Sequence, residues 1–309
     1  IRYGMTRDWI TGLKVVTGKG ELLELNKGLI KNATGYDFRH LFIGSEGTLG
    51  FVVEATVKLA RQPKNLTALV LGVPGFQEVM KVLHAFQSEL DLTAFEFFSD
   101  KAMAHVLAHG VSRPFDTDCP FYCLLEFEQV SEQTADQAMA VFERCVEQGW
   151  VLDGVMSQSL QQLDQLWQLR ERISESIAPH TPYKNDISVT IDKVPEFVEA
   201  VDKVVQDAYP DFEIVWFGHI GDGNMHLNIL KPEALPKEDF FEKCNNVSKW
   251  VFEIVERYNG SISAEHGVGM TKKPYLGYSR GPEEIAYMKA VKQVFDPNNV
   301  MNPGKLFDL

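Results

Sequence analysis

The sequence predicts a layered protein of strands and helices, α/β or α+β in class, and three observations carry that reading. At 309 residues, 45% hydrophobic and 24% charged, the chain has the make-up of an ordinary globular protein and length for roughly two domains of about 150 residues. From residue 63 onward, apolar runs of strand length alternate with amphipathic stretches of helical length. Residues 1–62 differ: they are rich in strand formers and glycine. The spacing alone does not choose between parallel and antiparallel pairing.

Residues 10–25 read as a strand pair around the turn residues Gly18, Lys19 and Gly20. The strand-rich stretch "LFIGSEGTLGFVVEATVKLARQP" follows, and Pro63 ends it. Next, "LTALVLGV" precedes a helix over 75–90, "TAFEFF" one over 99–109, and "FYCLLEFE" one over 131–148. "VLDGVMS" is followed by a helix over 159–178, "DISVTI" by one over 195–208, and "WFGHIGDGNMHLNIL" by a long one over 237–258. The chain opens "IRYGMTRDWITGLKVV" without an initiator methionine and already in strand pattern, so it reads as a fragment entered within a domain.

Charge and composition exclude several functions. With 30 basic and 43 acidic residues the formal charge is −13, which repels a phosphate backbone, so nucleic acid is not an expected partner. There is no 18-residue apolar run and no signal peptide, so the chain reads as cytoplasmic with no transmembrane segment. Cys119, Cys123, Cys145 and Cys244 lack the second close pair of a four-thiolate zinc site and read as buried thiols.

The chemistry concentrates in "GHIGDGNMH". If Asp222-Gly223 is a two-residue type I′ turn, His219 pairs directly with His226 across the hairpin. Paired residues share a sheet face with Cβ atoms roughly 4.5–5.5 Å apart, close enough for two imidazoles to hold one ion. Asn228 lies on that face too. Two ordinary histidines at a strand end is the alternative, and the hairpin alone leaves it open. "GSISAEHGVGM" reads as a short strand running into Glu265 and His266. Two imidazoles and a carboxylate are the ligand set of an open, zinc-type catalytic site, with His266 standing beside it. In a straight strand Glu265 and His266 point to opposite faces, so serving one site requires the turn that Gly267 and Gly269 permit.

A second cluster lies in "LWQLRERISESIAPHTPYKNDISV". Arg170 and Ser174 are four apart, on one face of the expected helix, and Lys184 follows in a loop before the next strand. An arginine, a hydroxyl and a lysine suit a carboxylate. A solvated helix face, given Glu171, Arg172 and Glu175, is the alternative.

"KNATGYDFRHLFIGSEGTLGFVVEAT", "GHIGDGNMH", "SAEHGVGM" and "FDPNNVMNPGKL", in that order along the whole chain, resemble the FAD-linked 2-hydroxyacid dehydrogenases of the vanillyl-alcohol oxidase superfamily. The resemblance implies an α+β protein: residues 1–62 as the second part of an FAD-binding domain, 63–285 as a substrate or cap domain built on a large antiparallel sheet flanked by helices, and 286–309 as a C-terminal helix and tail returning to the FAD side. It implies His219, His226 and Glu265 as metal ligands with zinc the expected ion, His266 as catalytic base, and Asn228 as a substrate contact. Glu46, Gly50, Val52 and Asn302 match flavin-contacting positions. The family's glycine-rich pyrophosphate loop belongs to a first part of the FAD domain that precedes Ile1, so the fragment is expected to hold FAD poorly.

The segment with Arg170, Ser174 and Lys184 resembles the branch acting on D-2-hydroxyglutarate, with serine for threonine and the lysine about one residue closer. The implied reaction is metal-assisted deprotonation of the 2-hydroxyl by His266 and hydride transfer from C2 to FAD. The implied partners are a small 2-hydroxyacid and an electron acceptor, with a homodimer allowed. D-lactate or glycolate oxidation is the alternative within the family; a flavin-free metal-dependent hydrolase or lyase, or a non-catalytic module, are the alternatives outside it.

Overall fold

A computed structural model describes all 309 residues. The chain forms two compact units, one of Ile1–Tyr3 and Pro63–Ser261, the other of Gly4–Gln62 and Ile262–Leu309. The first division falls at Pro63. The chain returns to the smaller unit at Ile262; the family resemblance implies a cap domain reaching residue 285.

The smaller unit opens with a short helix, α1 (Thr6–Trp9), and three antiparallel strands, β1 (Ile10–Thr17), β2 (Leu22–Leu25) and β3 (Gly50–Val57), in the order β2-β1-β3. The expected strand pair is present: Val16 pairs with Leu22 and Leu13 with Leu25. Gly20 takes the turn at φ +79°, a conformation open to glycine. A single helical turn, α2 (Arg39–Phe42), packs Phe42 with Leu13, Val15, Leu49 and Phe295 in the unit's core.

The larger unit is built on one antiparallel sheet of β4 (Leu66–Val73), β5 (Leu92–Ser99), β6 (Phe121–Glu128), β7 (Asp153–Met156), β8 (Tyr183–Ser188), β9 (Glu213–Gly218) and β10 (Asn224–Leu230). The order is β7-β4-β6-β5-β9-β10-β8, and every pairing is antiparallel. The α+β class and large antiparallel sheet implied by the family resemblance are therefore borne out. Its helices are α3 (Phe76–Gln87), α4 (Asp100–Ala108), α5 (Glu132–Glu147), α6 (Leu160–Glu171), α7 (Ile173–Ile177), α8 (Val194–Ala208) and α9 (Lys237–Arg257). Local chemistry explains their starts and faces. The Ser99 and Ser159 hydroxyls accept from the Ala102 and Gln162 amides, each capping a helix N-terminus. In α8, Val194, Phe197, Val198, Val201 and Val205 recur at three- and four-residue intervals and are the buried side. On one sheet face, Phe98, Leu124 and Phe217 pack with Met103 of α4, Leu166 of α6 and Ile177 of α7.

Two elements depart from the sequence reading. The expected helix over 159–178 is two helices interrupted at Arg172 (ψ 0°), followed by a 3-10 turn at Ala178–His180. The strand expected over "DISVTI" begins earlier, at Tyr183, so Lys184 lies in a strand rather than a loop.

The chain re-enters the smaller unit at Ile262 and ends with α10 (Pro282–Phe295). Buried Lys292 on α10 contacts Asp296 and donates to the Thr48 and Met301 carbonyls at 2.8 and 2.7 Å, tying the tail down within that unit. All four cysteines are free and buried; burial pushes the Cys145 thiol up to about 11 and that of Cys244 to about 12. No helix is long and apolar enough to cross a membrane.

Candidate metal centre and active site

The two histidines flank a hairpin longer than the one the sequence predicts. Asp222 does not have the positive φ that a type I′ turn requires at both central residues; of the pair only Gly223 does, at +71°. Residues 220–222 instead form a 3-10 turn, with the Asp222 amide donating to the His219 carbonyl at 2.9 Å. The loop therefore spans 219–223, His226 pairs with Phe217, and direct pairing of His219 with His226 is corrected to a diagonal one. The rings still meet: their centroids are 5.4 Å apart at 82°. Gly223 is required because a Cβ there would stand 2.2 Å from the Val189 carbonyl oxygen.

Beside each imidazole stands a buried carboxylate that sequence reasoning missed. Glu96 Oε1 is 2.7 Å from His219 Nδ1, and Glu96 Oε2 accepts from Arg170 Nε at 3.0 Å. Asp186 Oδ1 is 3.6 Å from His226 Nδ1 and accepts from Asn224 Nδ2 at 2.7 Å. Glu96 and Asp186 are 6% and 1% exposed, burial that carboxylates tolerate only when paired. The available signal was slight: single acids in "TAFEFF" and "DISV", strands otherwise apolar or short.

Asn228 follows His226 on β10, is buried, and donates from Nδ2 to the Val215 and His226 carbonyls. Lys184 is its direct partner on β8, exposed and on the same face. Arg170 is buried at the end of α6 with its guanidinium 4.7 Å from the Phe217 ring centroid. Ser174, on α7 beyond the break at Arg172, is exposed, so the continuous helix face expected to join it to Arg170 is not formed.

The short strand expected to run into Glu265 reduces to an isolated bridge between Ser188 and Ser261. The turn permitted by the glycines is present, with Gly267 at φ +75° and Gly269 at +53°. Glu265 and His266 are both exposed. His219 and His226 belong to the larger unit and Glu265 to the smaller; two imidazoles and a carboxylate are, as residue types, a ligand set for a divalent ion. The histidine pair fits a divalent ion, and the Glu96 carboxylate at His219 Nδ1 is the kind of outer-shell partner that metal-ligating histidines commonly carry.

Glu46, expected at the flavin, has both carboxylate oxygens engaged, accepting from the Val268 and Gly269 amides at 2.7 Å each. Its carbonyl accepts from Asn302 Nδ2 at 2.6 Å, which brings two of the expected flavin residues together. Gly50 is buried in β3, where a Cβ would stand 2.7 Å from Val15 Cγ1; packing within the unit accounts for this glycine. Val52 is exposed on the same strand.

The larger unit is an antiparallel α+β domain that carries a histidine pair with a buried carboxylate beside each ring. The chain belongs to the family described as FAD linked oxidases, C-terminal domain, whose model matches residues 62–306. It is 73% identical over 308 residues to a D-2-hydroxyglutarate dehydrogenase of Stutzerimonas stutzeri, covering 99% of this chain and 66% of that protein. It is 55% identical to a D-2-hydroxyglutarate dehydrogenase of Xanthomonas citri pv. viticola, covering 100% of this chain and 65% of the relative. The chain thus spans just under two thirds of the length of these relatives. Among solved structures, 4-ethylphenol oxidase from Gulosibacter chungangensis superposes with TM-score 0.70 at 14% identity, over 97% of this chain and 66% of that one. p-Cresol methylhydroxylase does so with TM-score 0.69 at 13% identity, over 99% and 67%. These two show a shared fold.

Proposed function

We propose that this chain provides the substrate domain and metal centre of an FAD-dependent dehydrogenase that oxidises a D-2-hydroxyacid, D-2-hydroxyglutarate foremost, to the 2-oxoacid. The observation that carries the reading is the His219–His226 pair, with ring centroids 5.4 Å apart and a buried carboxylate beside each imidazole; Glu265 would complete the ligand set. Membership of the FAD-linked family supports the cofactor, and the names of two relatives at high identity support the substrate. The four free, buried thiols suit a reducing cytoplasm.

When bound, a divalent ion, with zinc the best match to the donor set, supplies a Lewis acid for the substrate's 2-hydroxyl, and FAD supplies the hydride acceptor. The chain's own residues do the rest. His266 takes the hydroxyl proton on a ring nitrogen as the C2 hydrogen leaves with its electron pair. Asn228, on the face of His226, orients the substrate. Arg170, whose Nε meets Glu96, would offer its guanidinium charge to a substrate carboxylate. Lys184 would hold the second carboxylate of a diacid, with Ser174 as a hydroxyl donor. Asn302 and Val52 would contact the flavin ring. Electrons then pass to an acceptor outside the chain.

The test is a dye-linked assay of the full-length protein with D-2-hydroxyglutarate, D-lactate and glycolate. The expected result is the highest kcat/KM for D-2-hydroxyglutarate and loss of activity on chelation. Failure of all three acids to reduce the dye would overturn the proposal.

A further inference from the structure

We propose that Glu96 is a positioning residue for both parts of the site, orienting the His219 ring with one carboxylate oxygen and seating Arg170 with the other. This inference rests on the reading of His219 as a metal ligand. Glu96 lies on β5, between Phe95 and Phe97, which are both fully buried. A carboxylate in such a strand is costly unless each oxygen is satisfied. Both oxygens are satisfied, and by different partners: Oε1 by His219 Nδ1 at 2.7 Å, Oε2 by Arg170 Nε at 3.0 Å.

The placement is rigid on one side and loose on the other. β5 is an interior strand paired with both β6 and β9, and Phe98 lies opposite Phe217. His219 stands just beyond the last residue of β9, in the hairpin loop, where no strand pairing fixes its ring. The bond from Glu96 supplies that constraint and sets Nδ1 as the protonated nitrogen, as in the carboxylate–histidine–metal arrangement. Arg170 reaches the same carboxylate from α6, with its guanidinium carbon 4.7 Å from the Phe217 ring centroid. One interior side chain therefore sets the geometry of a candidate ligand and of a candidate substrate-binding cation. Asp186 stands similarly beside His226, but at 3.6 Å. Burying an Arg170–Glu96 ion pair would need no bond to His219, so the His219 ring is where the two roles separate.

The experiment compares this chain with its Glu96→Gln and Glu96→Asp variants, measuring zinc affinity by chelator competition and the His219 tautomer by imidazole 15N spectra of the metal-free chain. The expected result is zinc binding weakened about 10- to 100-fold in Glu96→Gln, with His219 shifting away from the Nδ1-protonated form and partial recovery of both in Glu96→Asp. Unchanged affinity and tautomer in a folded Glu96→Gln variant would overturn the inference and leave the metal reading standing. If Glu96→Gln does not fold, Glu96→Asp carries the comparison, with an unchanged affinity and tautomer again overturning it. If the unmodified chain binds no zinc, the metal reading falls and this inference with it.

Discussion

The Glu46 carboxylate accepts a hydrogen bond from the Gly269 amide at 2.7 Å, although 223 residues separate the two in sequence. A second bond, from the Val268 amide, makes it a clamp on the loop that follows Glu265 and His266. The Ser263 hydroxyl closes the same loop by donating to the Gly267 carbonyl at 2.7 Å. Bonds to an ionised carboxylate are about twice as strong as neutral ones. Replacing Glu46 with alanine removes both acceptors at once and is expected to cost on the order of 1–3 kcal/mol locally. Hydrogen exchange at Val268 and Gly269 should accelerate in Glu46→Ala; protection equal to the unmodified chain would show that the clamp is not what orders the loop.

Glu265 and His266 are adjacent and carry different proposed roles. Glu265→Gln should lower metal content and activity together, because the charged ligand is lost. His266→Ala should retain metal while turnover falls by roughly 100- to 10,000-fold, the worth of a general base. Parallel measurement of zinc content and kcat in the full-length protein distinguishes them; loss of metal from His266→Ala would make His266 a ligand.

Lys184 lies directly across from Asn228 in the β8–β10 pair. If it holds the far carboxylate of a diacid, Lys184→Ala should reduce kcat/KM for D-2-hydroxyglutarate by on the order of 10- to 100-fold or more and leave D-lactate nearly unaffected, since only the diacid loses a charge-assisted partner. Equal losses for both substrates would remove Lys184 from the specificity account.

Asp202 gives a pH dependence independent of the site. Burial pushes its carboxyl up to about 6, partly offset by the Trp216 indole N–H, which donates to it at 2.7 Å. Its unfolded value is ordinary, about 3.9. Between those two values the folded chain keeps the proton and the unfolded chain releases it. The stabilising contribution is therefore full below about pH 3.9, falls as pH rises through about 6, and is flat above. Asp202→Asn cannot ionise, so its stability advantage over the unmodified chain should grow by on the order of 1–3 kcal/mol between pH 4 and 7. Urea unfolding at both pH values checks this; a pH-independent difference would contradict it.

How the histidines meet shows what the sequence could and could not reveal. Asp222-Gly223 has the chemistry of a two-residue turn, yet residues 220–222 wind into a 3-10 turn and move the pairing partner of His226 from His219 to Phe217. That is a shift of two residues. Side chains alternate with period two, so the shift preserves the face, and the histidine pair survives an incorrect register. Arg170 and Ser174 fared differently, because the break at Arg172 leaves no mark in the apolar pattern and separates a buried residue from an exposed one. The strands and most helices were legible because their periods differ. The partners of Glu96 were not, since pairing across β5, the β9 hairpin and α6 is set by tertiary packing.

His219, His226 and Glu265 are proposed to hold one divalent ion. Anomalous diffraction at the zinc edge, from crystals of this chain grown with zinc, tests it most directly. The expected result is a single site with metal–ligand distances of about 2.0–2.2 Å to one nitrogen of each histidine and to a Glu265 oxygen. An ion bound elsewhere, or no ion at these residues under saturating zinc, would contradict it.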